Sequence, residues 1–152
     1  MAITPTSNAP STTTISHLLD PIIESISKYN TSSGQVVPTF KYSDGILVPI
    51  KVVPLIADLQ ANNKVSGVLA HAANMYCSFC LSPQTNIEDL DLNAWEARDS
   101  ATVWAEAKEW LNTMTQTGQA AQEAISGVWW TSMHCLPYWD PVKHTILGFM
   151  HN

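Results

Sequence analysis

Basic side chains are scarce in this sequence. Lys and Arg number 7 against 13 Asp and Glu, for a formal net charge of −6, and no two basic residues are adjacent. A protein that grips nucleic acid by itself does so with Lys and Arg on the phosphates. Tight DNA binding by this chain alone is therefore not expected, although a place within a larger DNA-handling protein remains open. Cysteine is also rare: 3 residues, an odd count, do not make a secreted disulfide scaffold. A reducing compartment, nuclear or cytoplasmic, fits better. No uninterrupted apolar run is long enough to span a bilayer, so no membrane partner is expected. The opening MAITPTSNAPSTTT has no apolar segment of the signal-peptide kind.

Apolar material is plentiful. Hydrophobic residues make up 45% against 13% charged, enough for a core, and 152 residues allow one domain at most. Residues 1–14 read as a disordered leader rich in Ser, Thr and Pro. Ile15, Leu18, Leu19, Ile22, Ile23, Ile26 and Tyr29 follow at helical spacing. Asp20-Pro21 suits a cap with proline at the first helical position, which puts the start of the regular helix there.

The next segment reads as β-structure. Val36 to Tyr42 and Ile46 to Ala57 flank Ser43-Asp44-Gly45, and Asp-Gly is a hairpin signal. Pro49 and Pro54 cannot donate to a ladder, so the second run is broken, bulged or at an edge, best ordered over Val52–Ala57. Residues 59–76 are mixed, with Gly67 as a loop point. After Ser82-Pro83 comes an acidic stretch through Asp91. A helix is predicted from about Ser100 to Thr115, capped by Asp99 or Ser100, with Val103, Trp104, Ala107, Trp110, Leu111 and Met114 on one face. Gly118 is expected to break it before a short helix over Gln119–Ser126. The aromatic tail ends at Met150-His151-Asn152 directly after an apolar run, and truncation is the expectation there.

Three places hold residue types that carry chemistry. Cys77-x-x-Cys80 has the spacing by which two thiolates grip one zinc ion from a tight turn. A structural site needs four ligands, and His71, His134, Cys135, His144 and His151 are the candidates for the rest. Burial as two reduced thiols fits the spacing equally. A redox dithiol fits less well, because Pro83 follows too soon for a regular helix. Asp58 ends an apolar β-run, where a carboxylate can face Mg²⁺ or simply cap the next turn. Asp140 precedes Pro141 and suits a turn. The six tryptophans suit core packing better than base stacking.

Taken in order, several segments resemble the transposase-like proteins of basidiomycete DNA transposons related to the CACTA group. They are Tyr42-Ser43-Asp44-Gly45-Ile46-Leu47-Val48, Val53-Pro54-Leu55-Ile56-Ala57-Asp58-Leu59, Lys64-Val65-Ser66-Gly67 and Tyr76-Cys77-Ser78-Phe79-Cys80. Further on come Trp95-Glu96-Ala97-Arg98, Leu136-Pro137-Tyr138-Trp139-Asp140-Pro141 and Met150-His151-Asn152. The resemblance implies an α/β fold: a partial RNase H-like core, hairpin plus helix, over residues 15–66, then a mainly helical, Trp-rich insertion region over 67–152. It implies an Asp-Asp-Glu triad with two Mg²⁺ ions in the intact protein, DNA as its partner, and Asp58 as the second aspartate. It also implies zinc at Cys77 and Cys80, with His151 as a ligand.

The chain departs from that pattern in ways that matter. No Asp stands in the leader where the first aspartate belongs, and no Glu follows His151. Gly148-Phe149 stands where relatives carry Asp shortly before Met-His-Asn, and Gln60-Ala61-Asn62-Asn63 differs from the stretch expected after the aspartate. One triad member cannot fix two metal ions, so the expectation is a transposase fragment inactive by itself. The alternative is a zinc-stabilised module, derived from a transposon, that contacts another protein.

Overall fold

The computed structural model describes residues 12–30, 34–51, 53–69 and 73–148. Helix α1 runs over Thr12–Tyr29 and carries Pro21 inside it. The expected helix start at Asp20-Pro21 is thus corrected, as is the expected leader, whose last residues are already helical. An internal proline lacks the N–H for the bond one turn back, at a cost of about 3 kcal/mol. Tertiary contacts offset that cost. The Ser132 hydroxyl donates to the Ser16 carbonyl (2.9 Å) and also meets the Asp20 carboxylate. Ile23 is buried against Met133, Leu136 and Trp139, with Leu19 and Ile26 packed beside it.

Strands β1 (Gln35–Val37) and β2 (Ile46–Val48) form the expected antiparallel hairpin, with Val36 opposite Leu47. The strands are short because Pro38 and Pro49 stop each from extending. The predicted turn is present: the Gly45 amide donates to the Tyr42 carbonyl at 3.0 Å. Pro49 and Pro54 do more than bulge the second run. They divide it into two strands that belong to different sheets. Strand β3 (Leu55–Ala57) pairs in parallel with β4 (Thr145–Leu147), Leu55 opposite Thr145 and Ala57 opposite Leu147. The expected best-ordered stretch therefore reduces to Leu55–Ala57, Val52 lying outside the described residues. The pair ties Leu55–Ala57 to Thr145–Leu147, across the boundary expected near residue 66.

Helix α2 (Leu59–Ser66) follows β3 after a single residue and stops at Gly67, whose φ of 86° is left-handed. A side chain at Gly67 would meet the Trp129 carbonyl at 2.5 Å. Helix α3 (Ser100–Asn112) starts at the Asp99 cap, as the sequence allowed. Its buried face is Val103 and Ala107, packed with Val128 and against Trp130 and Val142. Leu111 and Met114 are instead exposed, Met114 because α3 has already ended. Helix α4 (Gln116–Ser126) begins earlier than expected. Thr115 caps it by accepting from the Gly118 amide, so Gly118 sits in its first turn rather than breaking a helix. Among the described residues the protein is a small mixed α/β structure of four α-helices and two two-stranded sheets, with helix exceeding strand. No described helix is long and apolar enough to cross a membrane.

Candidate functional site

The Cys77–Cys80 turn is the most chemically distinctive feature of the structure. The Cys77 sulfur accepts backbone N–H bonds from Phe79 (3.4 Å) and Cys80 (3.3 Å). Two backbone amides thus converge on one sulfur. The two thiols are neighbours, and both are partly exposed. Burial pushes the Cys80 thiol up, and the Cys77 hydrogen bond adds to that, while the Arg98 charge opposes it. Burial also raises Tyr76, with the two cysteines adding to it.

Two buried side chains hold this turn, and neither carries a local sequence signal. Asn63, on α2, is 1% exposed. Its amide nitrogen donates to the carbonyls of Leu69 (2.8 Å) and Tyr76 (3.3 Å), and its oxygen accepts from Ser78 Oγ (3.1 Å). Arg98, 5% exposed, comes from the other side. Its Nε donates to the Cys77 carbonyl at 2.7 Å, and Nη2 donates to the carbonyls of Ser126 (3.0 Å) and Met75 (3.4 Å). Cys80 pairs in an antiparallel bridge with Ala97. Burial lowers the Arg98 pKa, and the acidic groups around it, Glu106 first, counteract that.

The donor chemistry fits half a zinc site: two thiols on one turn, one of them met by two backbone amides. The described candidates for the other half do not join it. His134 is 2% exposed and its Nδ1 accepts from the Thr131 amide at 3.1 Å. Its ring stacks on Trp130 and meets Trp104 edge-on, and burial takes its pKa down to about 4. His144 Nδ1 accepts from the Asp140 amide at 3.0 Å. Cys135 lines a cleft with Asp20 and Ser27. Among the described residues no three His, Cys, Asp or Glu side chains come together as a metal-holding group. His71 and His151 lie outside the described residues.

Asp58 is the N-cap of α2, its Oδ1 accepting from the Ala61 amide at 2.8 Å. It stands at the carboxyl end of the β3–β4 parallel pair, exposed to solvent. Asp140 makes the expected turn, accepting from the amides of Val142 and Lys143 and from Ser100 Oγ (2.5 Å). The tryptophans serve packing and anchoring. Trp129 and Trp139 are buried, Trp104 Nε1 donates to the Trp139 carbonyl (3.2 Å), and Trp110 Nε1 donates to Glu123 (2.7 Å). No family model matches the chain, and no curated protein or solved structure matches it either.

Proposed function

We propose that this chain is part of a DNA transposase-like protein, within which Cys77 and Cys80 form half of a structural zinc site. The double amide bonding of the Cys77 sulfur carries the metal reading. Zinc supplies four-coordinate cross-linking and no redox chemistry. Cys77 and Cys80 hold it, and His151 is the proposed ligand from the end of the chain. The transposase reading rests on the ordered segments of the sequence. The run of strand, aspartate and helix at Leu55–Ser66 supports it, because α/β sheets collect ligands at the carboxyl ends of parallel strands. In that reading Asp58 is one carboxylate of an RNase H-like centre that cuts and rejoins DNA with Mg²⁺.

Within the described region Asp58 acts as a helix cap, and the module's own work is to hold α3 and α4 on a metal-clamped base. A zinc-stabilised protein-interaction module is the second reading. It is favoured by the charge, since residues 86–123 hold eight acidic side chains and only Arg98 and Lys108 as basic ones. That balance suits a protein partner better than a phosphate backbone. Sequencing the transcript that carries this chain separates the two. The transposase reading expects in-frame coding on both sides, with an aspartate-bearing strand before and a glutamate-bearing helix after. A transcript encoding these residues alone overturns it in favour of the module.

A further inference from the structure

Arg98 spends its side chain in an unusual way. Almost wholly buried, it makes no salt bridge within 4 Å among the described residues. Its hydrogen bonds go to three main-chain carbonyls instead: Met75 and Cys77, which bracket the start of the thiol turn, and Ser126, the last residue of α4. A rigid guanidinium fork suits such a task, because it serves several acceptors at fixed angles, and a cation at a helix C-terminus also meets the negative end of the dipole. The main chain repeats the link. The Arg98 amide donates to the Phe79 carbonyl at 2.9 Å and the Leu81 amide to the Glu96 carbonyl at 2.8 Å. The junction is tight: a side chain at Gly127, next after Ser126, would lie 2.0 Å from the Met75 carbonyl.

We propose that Arg98 is the positioning residue of the thiol turn, fixing it for cation capture and tying its occupancy to the end of α4. This rests on the metal reading above. By holding the Cys77 carbonyl, the Arg98 side chain fixes the peptide plane next to the one whose Phe79 N–H meets the Cys77 sulfur, while the Arg98 amide on the Phe79 carbonyl holds the plane that carries the Cys80 N–H. The turn is then organised before a metal arrives, and less ordering is left to oppose binding. A metal that tightens the turn also tightens the Ser126–Val128 segment through the same guanidinium. A residue that organised only the fold would change melting temperature and leave metal affinity alone.

Cobalt(II) titration of the whole chain tests this, read by thiolate-to-cobalt absorption in the near ultraviolet. Wild type is expected to develop the band. Arg98→Met, at a temperature where circular dichroism shows it folded, is expected to reach the same band with affinity weakened about tenfold or more. Arg98→Lys should recover part of the loss. Affinity equal to wild type in Arg98→Met overturns the role of Arg98 alone. Absence of the band in wild type, as in Cys77→Ser, overturns the metal reading and this proposal with it. Should Arg98→Met not fold, hydrogen exchange on wild type decides. Zinc is expected to slow exchange at the Gly127 amide as well as at Arg98 and Leu81. Unchanged exchange at Gly127 would overturn the coupling.

Discussion

Acid should weaken this fold through a single buried imidazole. His134, 2% exposed, packs in a triangle of rings with Trp104 and Trp130, and its Nδ1 accepts from the Thr131 amide. Desolvation holds its pKa at about 4, against an ordinary value of 6.5. The unfolded chain therefore takes up a proton that the folded chain refuses between those two values. Stability is whole above pH 6.5 and falls as pH drops toward 4, by about 3 kcal/mol at the lower limit. That is a large share of a small domain's total. Three carboxyls are also shifted. Hydrogen bonds hold the Asp99 and Asp140 carboxyls below their usual range, so their loss comes at still lower pH. Burial raises Glu106, which gains stability as pH falls and so opposes His134. The assay is urea unfolding at several pH values from 7 to 4.5, wild type against His134→Asn, whose side-chain oxygen replaces the Nδ1 acceptor. The difference between the two cancels Glu106. It is expected to narrow steadily as the medium is acidified. Parallel curves, or a His134 imidazole resonance titrating near 6.5 in the folded protein, would refute the reasoning.

Other expectations concern backbone junctions and the lone aspartate. Gly127→Ala forces a side chain at φ 74° into the Met75 carbonyl. It should cost about 2 kcal/mol or more, seen as a lower urea midpoint. Asp58→Ala removes the α2 cap and should cost about 1 kcal/mol, with Asp58→Asn nearly neutral. Purified chain should not nick DNA with Mg²⁺. Robust cleavage that disappears in Asp58→Ala would show a working metal centre and contradict the reading of Asp58 within this chain as a cap.

Local signals in the sequence account for the parts of the fold that local physics decides. Asp44-Gly45 marked the hairpin, Asp99 marked the start of α3, and Asp140-Pro141 marked a turn. Pro21 misled, because its cost is local while what offsets it, Ser132 and the Met133–Trp139 cluster, comes from the far end of the chain. Strand β4 carries only Thr145-Ile146-Leu147, too little pattern to stand out, and its parallel partner is remote in sequence. The same limit applied to the site. The spacing of Cys77 and Cys80 was legible, but nothing nearby announces that Asn63 and Arg98 fold back on that turn. Their role is set by burial, which makes every unpaired carbonyl costly and rewards the long polar side chain that reaches it. His134 was one of several candidate ligands by type alone. Its packing against two indoles turned it into a core residue.

The zinc reading at Cys77 and Cys80 is tested most directly by the metal content of the chain purified without chelators, measured by atomic emission beside Cys80→Ser. Close to one zinc per chain is expected in the wild type, with loss of the ion and a lower melting temperature in the variant. Metal-free wild type, melting at the same temperature as Cys80→Ser with zinc present or absent, would contradict it.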